Sequence, residues 1–299
     1  MNLSNENVIH INKNGVQYLQ FKKLLEYSDI INHAYSLGLD VNFRTATVDK
    51  KPLPIEKYND AIKNYKNLCE TLEMNFINII KCRQNHTKNI GIISKKINKD
   101  APDFDIELFK EGVDGLVTNK PNLILGTTNA DCILLLFFDP IKKVISNVHS
   151  GWKGTLQEIS IQAVNKMINE YNCSPSNIIC CICPSIRKCH FEVDKDVKDM
   201  FFNKFKNLEE INQIIEYNAM RDKWNIDTVL INRVILKKLG LKDENIIDSG
   251  ICSVCNSNLV HSFRVEKEGY GLETALIELK DYQNKEYINE TFRTKDFIG

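Results

Sequence analysis

The 299-residue chain lacks a long hydrophobic run, a net charge and any stretch rich in glycine, proline or serine. Its longest unbroken apolar segment, residues 132–138, is far shorter than the roughly 20 residues that span a bilayer. Because 39 basic residues balance 39 acidic residues, no overall field favours nucleic acid or an anionic membrane as a partner. The first residues carry neither a basic nor an apolar segment, so we expect no secretory signal and a cytoplasmic location.

Cysteine is the abundant residue type, with ten in the chain. A disulfide framework is typical of short secreted chains, whereas several of these cysteines lie in apolar runs of a long chain. We therefore expect mostly reduced core thiols, with one or two kept for chemistry. Cys252-x-x-Cys255 has the spacing of half a zinc or redox site, but without a partner pair this signal is weak. A buried strand accounts for most of the cluster formed by Cys180, Cys181, Cys183 and Cys189.

Helical and strand patterns alternate irregularly along the chain. Asn14-Gly15 predicts a hairpin over residues 8–21. Apolar spacing predicts helices over residues 58–74, 156–171, 193–205 and 228–239, the last one capped by Asp227 and ended by Gly240. Strands are expected at residues 30–36, 76–82, 116–118, 123–127, 132–138, 143–149, 177–183, near 246 and at 274–279. Since regular βαβ alternation is missing, the fold class is α+β: a single domain over residues 1–279, with mixed sheets flanked by helices, then a polar tail over 280–299.

Two apolar strands flank Asp139-Pro140-Ile141-Lys142, a sequence that favours a type I turn. With Pro140 and Ile141 as a two-residue loop, Cys132 lies directly opposite His149, with Cβ atoms roughly 4.5–5.5 Å apart. Zinc bonds of about 2.3 Å to sulfur and about 2.0 Å to nitrogen can bridge that separation.

His86 follows another predicted strand and can complete a three-ligand set with Cys132 and His149. Three protein ligands leave a fourth position for water or substrate, which is typical of catalytic rather than structural zinc. The alternative for the same residues is a core thiol and hydrogen-bonded surface histidines.

Several motifs are similar to those of one widespread bacterial and animal family. The segments N-A-D-C (129–132), D-P (139–140) and V-H-S-G-W-K-G-T (148–155) resemble its T-A-D-C, D-P and V-H-A-G-W-R-G-T motifs. Further matches follow in family order at residues 84–86, 114–118, 184–186, 191–193 and 262–264, so the resemblance spans roughly residues 30–279. The family is known as multicopper polyphenol oxidase, laccase-domain protein, peptidoglycan editing factor or purine nucleoside phosphorylase.

The resemblance implies a zinc ion bound by His86, Cys132 and His149, in an α+β fold with a cysteine-hydrolase-like core. The implied reactions are phosphorolysis of adenosine, inosine, guanosine or methylthioadenosine to free base and sugar 1-phosphate, and hydrolytic deamination of adenosine. The implied partners are therefore a nucleoside and phosphate. Copper is the alternative metal, because one cysteine and two histidines can also bind it.

Five further residues are candidates for roles in catalysis or substrate binding, and most of them also have a structural alternative. Asp131 is a candidate general base or ligand-orienting residue, or else a carboxylate that accepts backbone N–H bonds. Gln84 either bonds substrate or faces solvent. Lys153 either holds phosphate or is solvated, and Arg264 either clamps phosphate or pairs with Glu266 or Glu268. Arg44 is the candidate replacement for a missing family arginine.

Cationic positions are where this chain departs from the family pattern. Lys153 replaces the arginine of G-W-R-G-T and loses planar bidentate donation. Ser36 is followed by L-G-L where S-x-R-x-G-G is expected, and Gly271-Leu272 replaces a G-R pair. Three other functions stay open. The editing role of relatives and the likeness of a Cys/His pairing to cysteine hydrolases indicate an amidohydrolase that edits cell-wall precursors with Cys132 as nucleophile. The ligand set also allows a copper-dependent phenol oxidase, and the missing arginines indicate a catalytically weak nucleoside-binding protein.

Overall fold

Two β-sheets packed face to face form the centre of the molecule, which a computed structural model describes for residues 2–47, 51–106 and 112–281. The strands are β1 (Val8–Lys13), β2 (Val16–Phe21), β3 (Ile31–Leu37), β4 (Ile79–Cys82), β5 (Ile90–Ile92), β6 (Asp103–Ile106), β7 (Gly115–Thr118), β8 (Ile124–Asn129), β9 (Ile133–Asp139), β10 (Val144–Ser150), β11 (Ile179–Ile182), β12 (Glu192–Val193), β13 (Ile215–Asn218), β14 (Lys223–Ile226), β15 (Ile246–Asp248) and β16 (Glu273–Leu279). The helices are α1 (Lys22–Leu25), α2 (Ile55–Thr71), α3 (Trp152–Leu156), α4 (Ile159–Tyr171), α5 (Lys195–Phe205), α6 (Ile211–Ile214), α7 (Thr228–Lys238) and α8 (Phe263–Glu266).

Both large sheets mix parallel and antiparallel pairs. The seven-stranded sheet has the order β1-β2-β3-β16-β8-β4-β6, and the six-stranded sheet has the order β15-β11-β9-β10-β7-β5. Parallel pairs are β4 with β6 and β8, β5 with β7, and β11 with β15. A three-stranded sheet, β12-β14-β13, lies at the periphery. The predicted α+β class with mixed sheets flanked by helices is confirmed.

Strand β9 is buried on both faces, which explains why its sequence is continuously apolar rather than alternating. Leu134, Leu136 and Phe138 point into the core between the two large sheets. The intervening Ile133, Leu135 and Phe137 pack against α4 and α7 on the outer face.

Helix α2 covers the outer face of the seven-stranded sheet. Its buried residues Tyr65, Leu68 and Cys69 pack with apolar residues of β3, β4, β8 and β16. The described chain is therefore built in four layers, helix–sheet–sheet–helix, with the largest apolar core between the sheets.

Two local predictions are confirmed in detail. Asn14 and Gly15 connect β1 to β2, and both have positive φ (56° and 85°), as a tight hairpin turn requires. Asp227 caps α7 by accepting a hydrogen bond from the backbone N–H of Leu230, and Gly240 follows the helix with a φ of 106°.

The predicted register of the β9–β10 hairpin is wrong. The structure pairs His149 with Leu134, because the turn contains four residues, 140–143, and not two. The Asp139 carboxylate stabilises this longer turn by accepting hydrogen bonds from the N–H groups of Ile141 and Lys142. The slip is two residues, which is one full side-chain repeat, so Cys132 and His149 keep the same face but become diagonal neighbours.

Other differences concern element boundaries. The helix predicted over residues 156–171 begins at Ile159, because Glu158 has a φ of 55° and separates α4 from the short α3, which ends at Leu156. The helix predicted from residue 193 begins at Lys195, since Glu192–Val193 pairs as a strand. The sequence did not predict β5, α8 or the β12–β14 sheet. From residue 282 onward the predicted polar tail lies outside the described residues.

Among the residues that the structure describes, no helix combines the length and the apolar character needed to cross a membrane.

One buried amide joins the two large sheets. Asn147 of β10 is fully buried, and its Nδ2 donates to the carbonyls of Leu125 and Ala275, each at 2.8 Å. Its Oδ1 accepts from the Thr127 hydroxyl. Since Leu125, Thr127 and Ala275 belong to the seven-stranded sheet, this side chain fixes the position of β10 relative to β8 and β16.

Asn147→Ala should lower the free energy of unfolding by roughly 2–4 kcal/mol, because two carbonyls and a hydroxyl lose their buried partner. Urea unfolding followed by tryptophan fluorescence measures the change. Asn207→Ala, at an exposed asparagine, is the control and should stay within about 0.5 kcal/mol of the original protein. Equal stabilities of the two variants would contradict the assigned role.

Candidate metal centre

The three predicted metal ligands come together at one edge of the sheet pair. His86 follows β4, Cys132 lies between β8 and β9, and His149 belongs to β10. Because β4 and β8 are parallel, their carboxyl ends meet at this edge. The two segments that leave these strands carry His86 and Cys132 towards the end of β10.

The ligand atoms of His86, Cys132 and His149 all lie within 4.8 Å of one another. Cys132 Sγ is 3.9 Å from His86 Nε2, and the two imidazole rings have centroids 4.9 Å apart at an angle of 82°. The set runs from an exposed His86 through a half-buried Cys132 to a buried His149. One side of the set is therefore anchored in the core, and the other side is open to solvent.

Asp114, at the entrance to β7, organises two of the three ligands. Its carboxylate accepts hydrogen bonds from the backbone N–H groups of Asn85 (3.1 Å), His86 (2.9 Å) and Thr87 (2.7 Å). Successive amides that converge on one anion form a nest. This nest accompanies a left-handed backbone at His86, with a φ of 58°. Asp114 thus fixes the loop that presents His86.

The same carboxylate orients His149. Asp114 Oδ1 lies 2.9 Å from His149 Nδ1, and the Asp114 carbonyl accepts from the His149 backbone N–H at 2.7 Å. Burial alone would raise the pKa of Asp114, but the bonds from His149 and Thr87 lower it to about 2. An ionised carboxylate only accepts, so Nδ1 carries the proton and Nε2 is left for a metal.

The electrostatics of the site also favour a thiolate. Burial alone would raise the pKa of Cys132, but the charge and hydrogen bond of His149, with a contribution from His86, lower it to about 6. Burial likewise opposes a charge on His149, whereas Cys132 and Asp114 raise the pKa of its imidazole. The thiolate is the form that binds metal, and a metal that binds here would displace the proton that His149 Nε2 shares with it.

The residues present fit a tetrahedral metal ion. Bonds of about 2.3 Å to sulfur and about 2.0 Å to nitrogen place such donors roughly 3.5 Å apart, close to the observed Cys132–His86 separation. Gly151 leaves room for these ligands, because a Cβ there would lie 2.6 Å from His86 Cδ2 and 3.2 Å from Cys132 Sγ. A thiolate with two imidazoles is also a donor set that suits zinc or copper.

A cavity of about 500 Å³ opens beside the three ligands, within the size range of small-molecule sites. Three cationic side chains, Arg44, Lys81 and Arg83, share its wall with all three ligands. Lys81 is buried, 3.0 Å from Asp105 Oδ1, and donates to the Thr45 hydroxyl at 2.7 Å. The cavity wall therefore carries the three candidate metal ligands and three cationic side chains.

Besides the three candidate ligands, two of the predicted site residues line this cavity. The Arg44 guanidinium lies 4.3 Å from the Tyr270 ring centroid and donates to the Tyr270 carbonyl at 3.1 Å. Gln84 bonds to the main chain of Thr128 in both directions, at 2.7 and 2.8 Å. Its side chain thereby extends the β4–β8 pairing beyond the last backbone bond. Leu272, where the family has arginine, lines the same cavity.

Asp131 does not line the cavity, and its hydrogen-bond partners belong to residues 253–264. Its carboxylate accepts from the hydroxyls of Ser253 and Ser262, and from the backbone N–H of Arg264 at 2.7 Å. The bond from the Arg264 N–H corresponds to the alternative in which Asp131 accepts backbone N–H bonds, whereas the two hydroxyl donors were not predicted. A catalytic role for Asp131 stays a prediction.

Arg264 and Lys153 also lie away from the residues that line the cavity. The Arg264 guanidinium donates to the carbonyls of His190 (2.9 Å) and Glu192 (3.3 Å), whereas the Glu266 carboxylate bonds to His261. Lys153 is exposed, with its ammonium 5.4 Å from the Trp152 ring centroid. Phosphate binding by these two residues stays a prediction.

Sequence reasoning missed the roles of Asp114 and Lys81. Asp114 lay in a recognised motif, but nothing in its spacing linked it to His86 or His149. Lys81 had a local signal, since it is a lone charge in the otherwise apolar strand Ile79–Cys82. A buried lysine needs a partner, and Asp105 was not identifiable as that partner from the sequence.

The protein belongs to the class of α+β proteins in which two packed sheets carry a group of cysteine and histidine side chains beside a cavity. A family model described as multi-copper polyphenol oxidoreductase laccase matches residues 56–280, and the chain belongs to this family. The family resemblance of the motifs is thereby confirmed.

Relatives share both sequence and fold with this chain. Purine nucleoside phosphorylase YlmD of Bacillus subtilis (strain 168) is 27% identical over 227 residues, which cover 76% of this chain and 80% of that protein. Adenosine deaminase RL5, from an unknown prokaryotic organism, is 30% identical over 198 residues, or 66% of this chain and 73% of that protein. The crystal structure of YlmD from Geobacillus stearothermophilus has the same fold, with a TM-score of 0.74 at 21% identity over 92% of this chain and 100% of that one.

Asp114→Asn should weaken metal binding by roughly 10- to 100-fold, because an amide can no longer accept from both the loop amides and His149. Competition for zinc against a chromogenic chelator measures the affinity. Asp139→Asn, at an equally buried aspartate that ends β9, is the matched control and should retain the original affinity. Unchanged affinity in Asp114→Asn would rule out the orienting role.

Proposed function

We propose that this protein is a zinc-dependent purine nucleoside phosphorylase. The observation that carries the proposal is the placement of His86, Cys132 and His149 on the wall of a cavity that also contains Arg44. The name of the Bacillus subtilis relative supports the same substrate class.

His86, Cys132 and His149 would hold the zinc ion, and the cavity that they line would give substrate access to it. Zinc bound there supplies Lewis-acid chemistry and lowers the pKa of a water ligand towards neutrality. Asp114 keeps His149 in the tautomer that leaves Nε2 available, and it keeps the His86 loop in place. Both imidazoles are thus oriented before any substrate enters.

Phosphorolysis also needs a site for an anion, and Arg44 is the best-placed group. A guanidinium has five N–H donors, of which Arg44 uses one for the Tyr270 carbonyl. The Tyr270 ring holds the guanidinium plane, so fewer rotamers are lost when phosphate binds. Lys81 contributes less, because its charge is already opposed by Asp105.

Gln84 and Thr128 also line the cavity. Because both ends of the Gln84 amide bond to Thr128, this residue acts by positioning the segment between β8 and Cys132. We infer that its substitution changes substrate affinity through the position of that segment.

Adenosine deamination is the second candidate activity. The adenosine deaminase relative favours it, since that protein is 30% identical to this chain. The two reactions differ in their nucleophile: phosphate attacks the sugar carbon in phosphorolysis, and water attacks the purine ring in deamination. Only phosphorolysis depends on phosphate, which separates the two experimentally.

The purified protein should convert inosine to hypoxanthine and ribose 1-phosphate only when phosphate is present, as measured by chromatography of the products. His149→Ala should lower this rate by at least about a hundredfold, since a metal site supplies several kcal/mol of charge stabilisation. His10→Ala removes a histidine outside the site and should keep the rate. Hypoxanthine release at equal rates in both variants would refute the proposal.

The same preparation tests the other functions. Adenosine converted to inosine without phosphate would establish the deaminase activity. Amide hydrolysis by metal-free protein, with covalent labelling of Cys132, would replace the proposal with an amidohydrolase. Phenol oxidation by copper-loaded protein would replace it with an oxidase, and stabilisation by inosine without turnover would indicate a binding protein.

Arg44→Ala should raise the KM for phosphate by roughly tenfold or more, because a charge-assisted bidentate contact is lost. Lys153→Ala should have a smaller effect, since Lys153 is exposed and lies outside the cavity lining. Steady-state kinetics at varied phosphate and saturating inosine give both values. A larger effect of Lys153→Ala would contradict the role of Arg44 and would assign the phosphate site to the start of α3.

A further inference from the structure

A second group of cysteine and histidine side chains lies outside the cavity just described. Cys189 and His190 precede β12, and Cys252 and Cys255 lie in the turns that follow β15. One ligand atom from each of these four residues lies within 4.8 Å of all the others. Two distant parts of the chain therefore supply three thiols and one imidazole to one point.

The separations within this group are those of a tetrahedron around one metal ion. Zinc bonds of about 2.3 Å to sulfur and about 2.0 Å to nitrogen imply sulfur–sulfur edges of roughly 3.8 Å and sulfur–nitrogen edges of roughly 3.5 Å. Cys189 Sγ lies 3.7 Å from Cys252 Sγ and 3.9 Å from Cys255 Sγ. His190 Nδ1 lies 3.2, 3.6 and 3.5 Å from the sulfurs of Cys189, Cys252 and Cys255.

We propose that Cys189, His190, Cys252 and Cys255 form a second zinc site, structural in character and separate from the His86–Cys132–His149 centre. Three cysteines and one histidine complete a four-coordinate shell and leave no position for water or substrate, which is typical of structural zinc. Thiolate donors in a tetrahedral arrangement favour zinc over magnesium or calcium.

The surrounding backbone holds these ligands in position. The Cys252 sulfur accepts hydrogen bonds from the backbone amides of Arg187 and Cys255, as a metal-bound thiolate does. Ser185 pairs with Cys252 as an isolated bridge, and the Ser253 N–H donates to the Ser185 carbonyl at 3.0 Å. The two ligand-bearing segments are therefore joined to each other next to the proposed ion.

Disulfide pairing does not account for the group. Three thiols are an odd number, so one would stay unpaired in any pairing within the cluster. The separations of 3.7 and 3.9 Å also exceed the S–S bond length of about 2.05 Å. A shared metal ion satisfies all three sulfurs at once.

The second site is connected to the first through Asp131 and Arg264. Asp131 precedes Cys132 and accepts from Ser253, which lies within Cys252-x-x-Cys255. Asp131 also accepts from the Arg264 backbone, and the Arg264 guanidinium donates to the His190 carbonyl. The second zinc would thus stabilise the segments that position Cys132, a ligand of the first centre, without taking part in the chemistry.

Elemental analysis of protein purified in reducing buffer with zinc tests the second site. We expect about two zinc ions per chain, one for each group of ligands. Cys255→Ser and His149→Ala should each lose one ion, from different sites. Cys173→Ser, at a thiol outside both groups, is the control and should keep both ions.

X-ray absorption at the zinc edge of His149→Ala gives a measurement that needs no substitution in the second cluster. The remaining ion should be surrounded by three sulfurs at about 2.3 Å and one nitrogen. A single zinc ion per original chain that Cys255→Ser retains, a shell with fewer sulfurs, or a disulfide in place of the ion would overturn the proposal. None of these measurements depends on nucleoside turnover, so the second site and the proposed function can fail separately.

Discussion

The bond between the Asp114 carboxylate and His149 is the interaction on which the candidate metal centre depends. The same carboxylate collects the amides of the loop that carries His86, so one buried charge fixes two ligands that are far apart in sequence. A carboxylate buried in the core would ordinarily be unfavourable, but five hydrogen bonds to it come from the residues that it positions. Stability of the loop and orientation of the ligands therefore have a common physical origin.

The two-sheet core explains where this centre forms. The space between the sheets is filled mainly by apolar residues. Asn147 of β10 crosses this space with hydrogen bonds to the main chain of β8 and β16. One side-chain repeat further along β10, His149 reaches the edge where β4 and β8 end. The apolar filling stops there, and the segments leaving the strands bound a cavity instead.

Positive charge around the cavity is arranged differently from what the family motifs led us to expect. The motif positions hold Lys153, which is exposed, and Leu272, which gives the cavity an apolar wall. Arg44, Lys81 and Arg83 supply cations from other segments. Loss of an arginine from a motif therefore does not remove the charge from the site, because neighbouring strands and loops reach the same space.

The sequence by itself determined the α+β class, the β1–β2 turn and the cap of α7, and it predicted the three side chains that the structure brings together at the candidate metal centre. These features rest on local rules or on short motifs: a turn needs residues that tolerate positive φ, and a ligand needs a donor atom. The register of β9 and β10 was wrong by two residues, because turn length depends on how Asp139 bonds its own loop. Only the tertiary structure decided that Asp114 holds both histidines, that Arg44 enters the cavity, and that Cys189 and His190 meet Cys252 and Cys255. Each of these three contacts joins residues that are distant in sequence. Whether such residues meet in space depends on strand order and packing, which no local pattern encodes.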